Sequence, residues 1–387
     1  MVAAGRAISV CGELLAATTL ALVLQSGGHG GFAVSGLLLA ATLPIALLAP
    51  FSGRLADRAD SRTLLVVVGS TQAVICAFLA FATHPVVIVA LVAALAAGLS
   101  ITQPTLSALV PRMVRETDFA KASGIVQSTS QIGMLAGPAL AGLLVGQAGS
   151  RLPLLIGAVS YLSLVVIGLL LHTRRHGATA ADRAVIAGFR LRDDRTLAVT
   201  TIAVAAVVAG VSAINVFDVF FVRETLGAST TVYGLVAASW GAGMLLGSPL
   251  GSRIPAHRRT ASTVLTLLAG ACLAVLIGGA TVGSAWLLIP VWIAGGFCNG
   301  LFNVSITVLI VGRVRPEAHG RAFSLFGAAV QTAGIAGFFV AGPLVELFDP
   351  RALVAGAGAA GLLAALACVP LVRTAPTSAR PGVRVTD

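Results

Sequence analysis

The sequence predicts an all-α integral membrane protein with twelve transmembrane helices, arranged as two six-helix bundles that are related by a parallel pseudo-two-fold repeat. Three observations predict this fold: the composition, the number of long apolar runs, and an internal repeat. Of 387 residues, 57% are hydrophobic and only 10% are charged. A soluble domain carries about 25% charged residues because its surface must be hydrated. Most of this protein's surface must therefore face lipid.

Twelve apolar runs are long enough to cross the hydrocarbon core, which takes about 20 helical residues. A polar connection at 173–196 separates a predicted N-terminal bundle (1–172) from a C-terminal bundle (197–373), and a polar tail follows at 374–387. The predicted helices span 7–25, 32–51, 63–83, 85–109, 122–146, 152–171, 197–221, 231–250, 261–282, 285–311, 321–347 and 351–372.

The basic residues predict the orientation of these helices. When the connections are assigned alternately to two sides, 22 of the 25 Lys and Arg residues, Arg6 among them, fall on the side of the N-terminus and 3 on the other side. The positive-inside rule then predicts a multi-pass protein of the inner (cytoplasmic) cell membrane with both termini in the cytoplasm. The net charge of +11 is interpreted as a topology signal, so no nucleic-acid partner is expected.

The two halves of the chain resemble each other. A shift of 200 residues aligns Gln131 with Gln331, and a shift of 198 aligns Gly36 with Gly234. Because the repeat unit contains an even number of helices, both copies have the same orientation, and the axis that relates them runs along the membrane normal.

Two local motifs point to a known family. The connection after the second helix reads G-R-L-A-D-R-A-D-S-R over 53–62, and the fifth helix reads G-M-L-A-G-P-A-L-A-G over 133–142. The first resembles the G-x-L-x-D-R-x-x-x-R/K loop signature of the major facilitator superfamily. The second resembles the G-x-x-x-G-P-x-x-x-G motif of the superfamily's antiporters. Segments 8–13, 109–114 and 187–194 look like the enterobactin-exporter-like branch, although helix 4 lacks the intramembrane Arg of many drug antiporters.

The resemblance implies roles for residues of both motifs. In the loop, Gly53, Asp57, Arg58 and Arg62 are expected to form a conformational latch that stabilises the outward-facing state; the alternative is an ordinary charged turn. In the fifth helix, small residues four apart allow a neighbouring helix to approach closely, and a proline removes one backbone hydrogen bond. Generic glycine-rich packing is the alternative there. The expected motif residues of this helix are Gly133, Gly137, Pro138 and Gly142.

Two acidic residues inside predicted helices are candidates for proton coupling. Glu13 lies seven residues beyond Arg6, about 10 Å deeper along a helix, and Asp218 lies near the outer end of the seventh helix, close to Arg223. Ionisable groups are costly in the bilayer and are functional hypotheses by default. The alternatives are a hydrogen-bonded structural carboxyl for Glu13 and an interfacial acid for Asp218.

Polar and Trp residues within helices are candidates for a substrate cavity, since lipid-facing positions tolerate polar groups poorly. Each could instead form a hydrogen bond between helices. The best candidates are pairs that match across the repeat, as for Gln103 with Asn303. The complete predicted set is Gln103, Asn303, Gln127, Gln131, Gln331, Asn215, Asn299, Trp240 and Trp292.

Together these features predict a secondary active transporter, namely a proton-coupled exporter of a hydrophobic or amphiphilic small molecule that works by alternating access. An importer or facilitated-diffusion carrier of the same fold is the alternative, and a receptor or a membrane enzyme is a weaker one. No catalytic constellation, metal cluster or cofactor motif is recognisable, so no cofactor is expected. The expected partners are the substrate, protons and the lipid bilayer, and the expected state is a monomer.

Overall fold

The computed structural model describes residues 2–58, 60–113, 119–170, 194–251, 253–254, 260–314 and 318–373. Within these ranges the protein is helical and contains no strand. The helices are α1 (Val2–Ser26), α2 (Gly31–Arg58), α3 (Ser61–Leu79), α4 (Pro85–Met113), α5 (Phe119–Ala148), α6 (Arg151–Leu170), α7a (Arg195–Ser212), α7b (Ile214–Phe220), α8 (Thr230–Gly251), α9 (Ala261–Thr281), α10 (Ala285–Arg313), α11 (His319–Leu347) and α12 (Pro350–Arg373).

With α7a and α7b counted as one, these are the twelve predicted helices. Eleven are long and apolar enough to cross a membrane; the twelfth, α8, is rich in Gly and Ser. Several helices extend beyond the predicted ends, as α2 does to Arg58. Apolar patterning marks the part of a helix in the hydrocarbon, whereas the helix itself continues into polar residues.

The seventh helix departs from the prediction of one continuous helix over 197–221. It is interrupted at Ala213, between α7a and α7b, and ends in a π-helical turn at Phe221–Thr225. At the interruption the Asn215 side-chain amide donates to the backbone oxygen of Ser212 at 3.1 Å. Such a local bond competes with the regular backbone ladder and favours a bend.

Helix packing repeats between the two halves. In the first bundle α1 packs on α5 and α6, α2 on α4, and α3 on α4 and α6. In the second bundle α7a packs on α11 and α12, α8 on α10, and α9 on α10 and α12. These pairings correspond when six is added to each helix number. The structure thus has two bundles of the same internal arrangement, as the repeat predicts.

The bundles meet through two equivalent helix pairs, α2 with α11 and α5 with α8. We call the end at which α1 begins and α12 ends the termini side, and the opposite end the far side. Ser35 donates a hydrogen bond to the backbone oxygen of Phe338, and Gln25 donates to Glu224 at 3.0 Å. Both contacts join the bundles near the far side.

Candidate functional site

The first helix is held against its own bundle by glycines on α5. A Cβ atom on Gly133 would lie 2.6 Å from the backbone oxygen of Ala7, and one on Gly137 would lie 2.7 Å from the Cβ of Leu14. Close backbone approach at small residues is how helices pack in lipid. Two predicted motif residues therefore fix the position of α1.

Glu13 is carried by this fixed helix. Its neighbour Gly12 packs against Ser160 of α6, where an added Cβ would lie 2.6 Å from the Ser160 Cβ. Glu13 itself keeps part of its surface accessible although it lies within the apolar span Ala4–Ser26. A carboxyl inside the span can exchange a proton only when water enters between the helices.

Arg6 lies on the same face of α1 as Glu13, since seven residues correspond to about two helical turns. Its guanidinium donates to the side-chain oxygen of Gln103 on α4 at 3.0 Å, and its charge acts on the Glu13 carboxyl. From the sequence, Arg6 is predicted only as a basic residue before the first helix. In the structure it lies within α1 and is partly buried, so an acid and a base share this face.

The position on α10 that matches Gln103 across the repeat is Asn303, which belongs to a row of neutral polar side chains. Asn303 donates to the Asn299 side-chain oxygen at 2.7 Å, and Thr307 donates to the Asn303 backbone oxygen at 2.8 Å. Asn303 lies sixteen residues after Leu287, which places it about 160° around the helix from that residue. Leu287 is 62% exposed, and Asn303 is exposed on a different face of the same helix.

The remaining amide candidates have different positions. Gln131 donates to Ser248 across the two bundles at 3.5 Å, the long limit for a hydrogen bond. Gln331 is partly buried on α11. Asn215 is exposed, and its amide donates to the backbone oxygen of Ser212 at the interruption of the seventh helix. The side chain of Gln127 lies outside the described residues.

The two predicted Trp residues pack inside the second bundle. Their rings are 6.3 Å apart between centroids in an edge-to-face arrangement, which is a favourable aromatic geometry. Trp292 is only 4% exposed, and Trp240 lies against Gly295 of α10. Trp292 therefore belongs to the helix packing rather than to an open surface.

Of the predicted latch, only Arg62 has a described side chain, and it is exposed near the start of α3. The side chains of Gly53, Asp57 and Arg58 lie outside the described residues, as do the linker at 173–193 and the tail at 374–387. The latch therefore stays a prediction.

The last glycine of the α5 motif has a different partner from the first two. An added Cβ on Gly142 would lie 2.7 Å from the Gly234 Cα of α8, in the other bundle. The related helix pair has an equivalent contact, because a Cβ on Gly342 would lie 3.1 Å from the Ser35 Cβ of α2. We call these two contacts the far-side seal. Of the three glycines in these contacts, Gly142, Gly234 and Gly342, only Gly142 was predicted as functional.

Asp218 is buried. It lies on α7b and is 8% exposed, and its Oδ1 atom has no hydrogen-bond partner among the described residues. Tyr233 of α8, which is 6% exposed, lies within electrostatic range of it. The burial of Asp218 follows because the π-helical turn and the neighbouring helices pack against this end of the seventh helix, and its depth in the membrane stays a prediction. Arg223 instead donates to the backbone oxygen of Ala228.

Within the described part of the chain, no three His, Cys, Asp or Glu residues come together as a metal site. All five cysteines are free thiols.

Comparisons with known proteins decide the family. A major facilitator superfamily model described as "Transmembrane secretion effector" matches residues 2–381. The chain belongs to the major facilitator superfamily. As a member, it is a multi-pass membrane transporter of a small-molecule substrate and not an enzyme. An uncharacterized MFS-type transporter of Bacillus subtilis, YfiS, is 26% identical over 335 residues, which cover 81% of this chain and 78% of that protein.

Solved structures confirm the superfamily fold. The nucleoside transporter NupG matches with a TM-score of 0.75 at 16% identity, covering 95% of this chain and 98% of that one. A bacterial homologue of the lysosomal transporter Spinster, in an inward-facing and occupied conformation, matches with a TM-score of 0.71 at 15% identity over 96% and 94%. At these identities the likeness extends to the fold alone.

Proposed function

We propose that this superfamily member is a proton-coupled exporter of a hydrophobic or amphiphilic small molecule, and that it works by alternating access. The observation that carries the proposal is Glu13: a partly buried acidic residue within a membrane span, on the face of α1 that also carries Arg6. The secretion role named in the description of the matching family supports export.

The orientation follows the basic residues. We propose that the termini side faces the cytoplasm, with bundles at 1–172 and 197–373, a linker at 173–196 and a tail at 374–387. The contact of Gly142 with Gly234 closes the far side, and the proposal is that the bundles open to the cytoplasm from this state. In that state Glu13 releases its proton inward, and substrate enters between the bundles.

Export then follows because the proton and the substrate do not occupy the site at the same time. Burial of Glu13 without water favours its neutral form, whereas a hydrated cavity or a cationic group on the substrate favours the carboxylate. Rocking of the bundles exposes the site on the far side, where a proton from outside returns to Glu13 and the substrate leaves. Gln103, Asn299, Asn303 and Gln331 supply the few polar contacts, which suits a mostly apolar ligand.

The test uses inside-out vesicles from cells that express the protein, assayed for uptake of ethidium and of a catecholate siderophore under an imposed pH gradient. We expect gradient-driven uptake of at least one probe. Glu13→Gln should reduce that uptake to the rate without a gradient, while Glu224→Gln should not, because Glu224 is exposed and a glutamine can still accept the Gln25 bond.

Each part of the proposal can fail separately. Uptake of neither probe would refute the substrate class, and uptake that ignores the gradient would refute proton coupling. Gradient-driven uptake that is undiminished in Glu13→Gln would refute the role of Glu13.

A further inference from the structure

Asp218 is the second acidic residue that the sequence predicts within a membrane span, and the cycle described above does not use it. Its Oδ1 atom is buried without a hydrogen-bond partner among the described residues. A buried carboxylate needs a cation or several hydrogen-bond donors to remain charged. The surroundings of Asp218 therefore decide which form it can take.

The helices packed against α7b and the turn after it are α1, α2, α8, α11 and α12. The far-side halves of α1 (15–26) and α2 (31–45) contain no ionisable residue. From α8 comes Tyr233, which is neutral, and from the far-side end of α11 comes Glu346, which lies over Gly30. From α12 comes Arg351, the only cation of this set.

The cations near Asp218 are engaged elsewhere. Arg351 lies over the Phe221 ring, 5.6 Å from its centroid, and donates to the backbone oxygen of Gly279 at 3.4 Å. Arg223 of the π-helical turn bonds to the backbone oxygen of Ala228. Among the described residues, then, nothing compensates a negative charge on Asp218 while the far side is closed.

The far-side seal lies next to this carboxyl. Tyr233 directly precedes Gly234, and an added Cβ on Gly234 would lie 2.6 Å from the backbone oxygen of Pro138 on α5. Separation of α5 from α8 therefore moves the turn of α8 that carries Tyr233, a residue whose charge state interacts with that of Asp218.

We propose that Asp218 is a proton-binding site on the far side, and that it must be protonated for the seal between α5 and α8 to close. This proposal rests on the proposed antiport function and adds its return step. Protons taken up from outside neutralise Asp218, the far side closes, and the transporter returns to the state open at the termini side. Because the closed state binds this proton more tightly, a rise in pH shifts the population toward the state open on the far side.

The experiment measures the seal and not transport. The five native cysteines are replaced by alanine, and spin labels are attached at Gln147→Cys and Ser229→Cys, two exposed positions at the far-side ends of α5 and α8. Distances between the labels are measured by double electron–electron resonance in lipid nanodiscs from about pH 5 to about pH 9. One linked proton changes the closed-to-open ratio by up to about tenfold per pH unit.

We expect Asp218→Asn to stay in the short-distance, closed state at all pH values, while Glu13→Gln retains the pH-dependent opening. Unchanged pH dependence in Asp218→Asn would overturn the proposal. The two proposals can fail separately. If the uptake assay fails, the distance measurement still tests the role of Asp218, and if the distances do not respond to pH, the uptake assay still tests the role of Glu13.

A second measurement needs no variant of Asp218. Dicyclohexylcarbodiimide modifies protonated carboxyls in apolar surroundings, and mass spectrometry of the peptide that contains Asp218 gives the modified fraction. The modified fraction should fall as the pH rises, in parallel with the opening of the seal. A fraction that stays constant while the seal opens would overturn the proposal even if Asp218→Asn does not fold.

Discussion

Gly142 of α5 and Gly234 of α8 meet backbone to backbone across the interface between the two bundles. A Cβ atom on Gly142 would lie 2.7 Å from the Cα of Gly234, a separation that real Cβ atoms do not show. The bundles can therefore approach this closely on the far side only because neither residue has a side chain.

Gly142→Ala should shift the protein toward the state that is open on the far side. Overpacking a tight contact costs about 1–3 kcal/mol, which lowers the closed-to-open ratio about 5- to 150-fold. The label pair at 147 and 229 measures this ratio. Gly356→Ala is the matched control, because an added Cβ there has open space. An equal shift in both variants would contradict the assignment of the seal.

Gly300→Ala should destabilise the second bundle. An added Cβ at Gly300 would lie 2.5 Å from the backbone oxygen of Met244 on α8, whereas nothing lies within 4 Å of one at Gly312 on the same helix. The free energy of unfolding should fall by about 1–3 kcal/mol in the first variant and stay level or rise in the second. Thermal unfolding in detergent compares the two, and equal midpoints would refute tight packing between α8 and α10.

The bond between Arg6 and Gln103 should link α1 to α4 energetically. Hydrogen bonds to charged groups contribute about 1.5–3 kcal/mol, so Arg6→Met and Gln103→Leu should each destabilise the protein. The double variant should lose less than the sum of the two, with a coupling energy of about 0.5–3 kcal/mol. A double-mutant cycle of unfolding midpoints measures this; strict additivity would show that the two side chains do not interact.

The orientation of the protein can be tested by labelling from outside intact cells. Single cysteines at Ser150 and Ser229, both on the far side, should react with a membrane-impermeant maleimide, and a single cysteine at Thr260 on the termini side should not. Permeabilised cells should label all three. The reverse pattern would place the termini outside the cell.

The helices were predictable because each is indicated by the pattern of its own residues in the sequence. Apolar length gives eleven of the twelve spans, and the offset of 200 between Gln131 and Gln331 gives the parallel repeat. Gly28 and Gly227 have positive φ angles after the ends of α1 and the seventh helix. Glycine adopts this conformation readily, so it is a local sequence signal for the end of a helix. The interruption of the seventh helix at Ala213 was not predictable from hydropathy. Hydropathy does not tell whether a polar side chain such as Asn215 bonds to water or to its own backbone.

The candidate site was predictable only in part, since its decisive contacts join residues far apart in the chain. Glu13 stands out as an isolated acid in an apolar run. Arg6 does not, because a basic residue near a helix end is typical of a topology signal, and its partner Gln103 is 97 positions away. The burial of Asp218 likewise depends on helices far away in the chain, such as α2 and α12.

The central claim, that the bundles open alternately, is tested most directly by locking the far-side seal. A Cβ on Gly146 would lie 3.1 Å from the Thr231 Oγ1, so Gly146→Cys with Thr231→Cys can form a disulfide across the bundles in a background without native cysteines. Oxidation should abolish uptake of the transported probe in inside-out vesicles, and reduction should restore it. Full uptake by the oxidised, cross-linked protein would contradict alternating access.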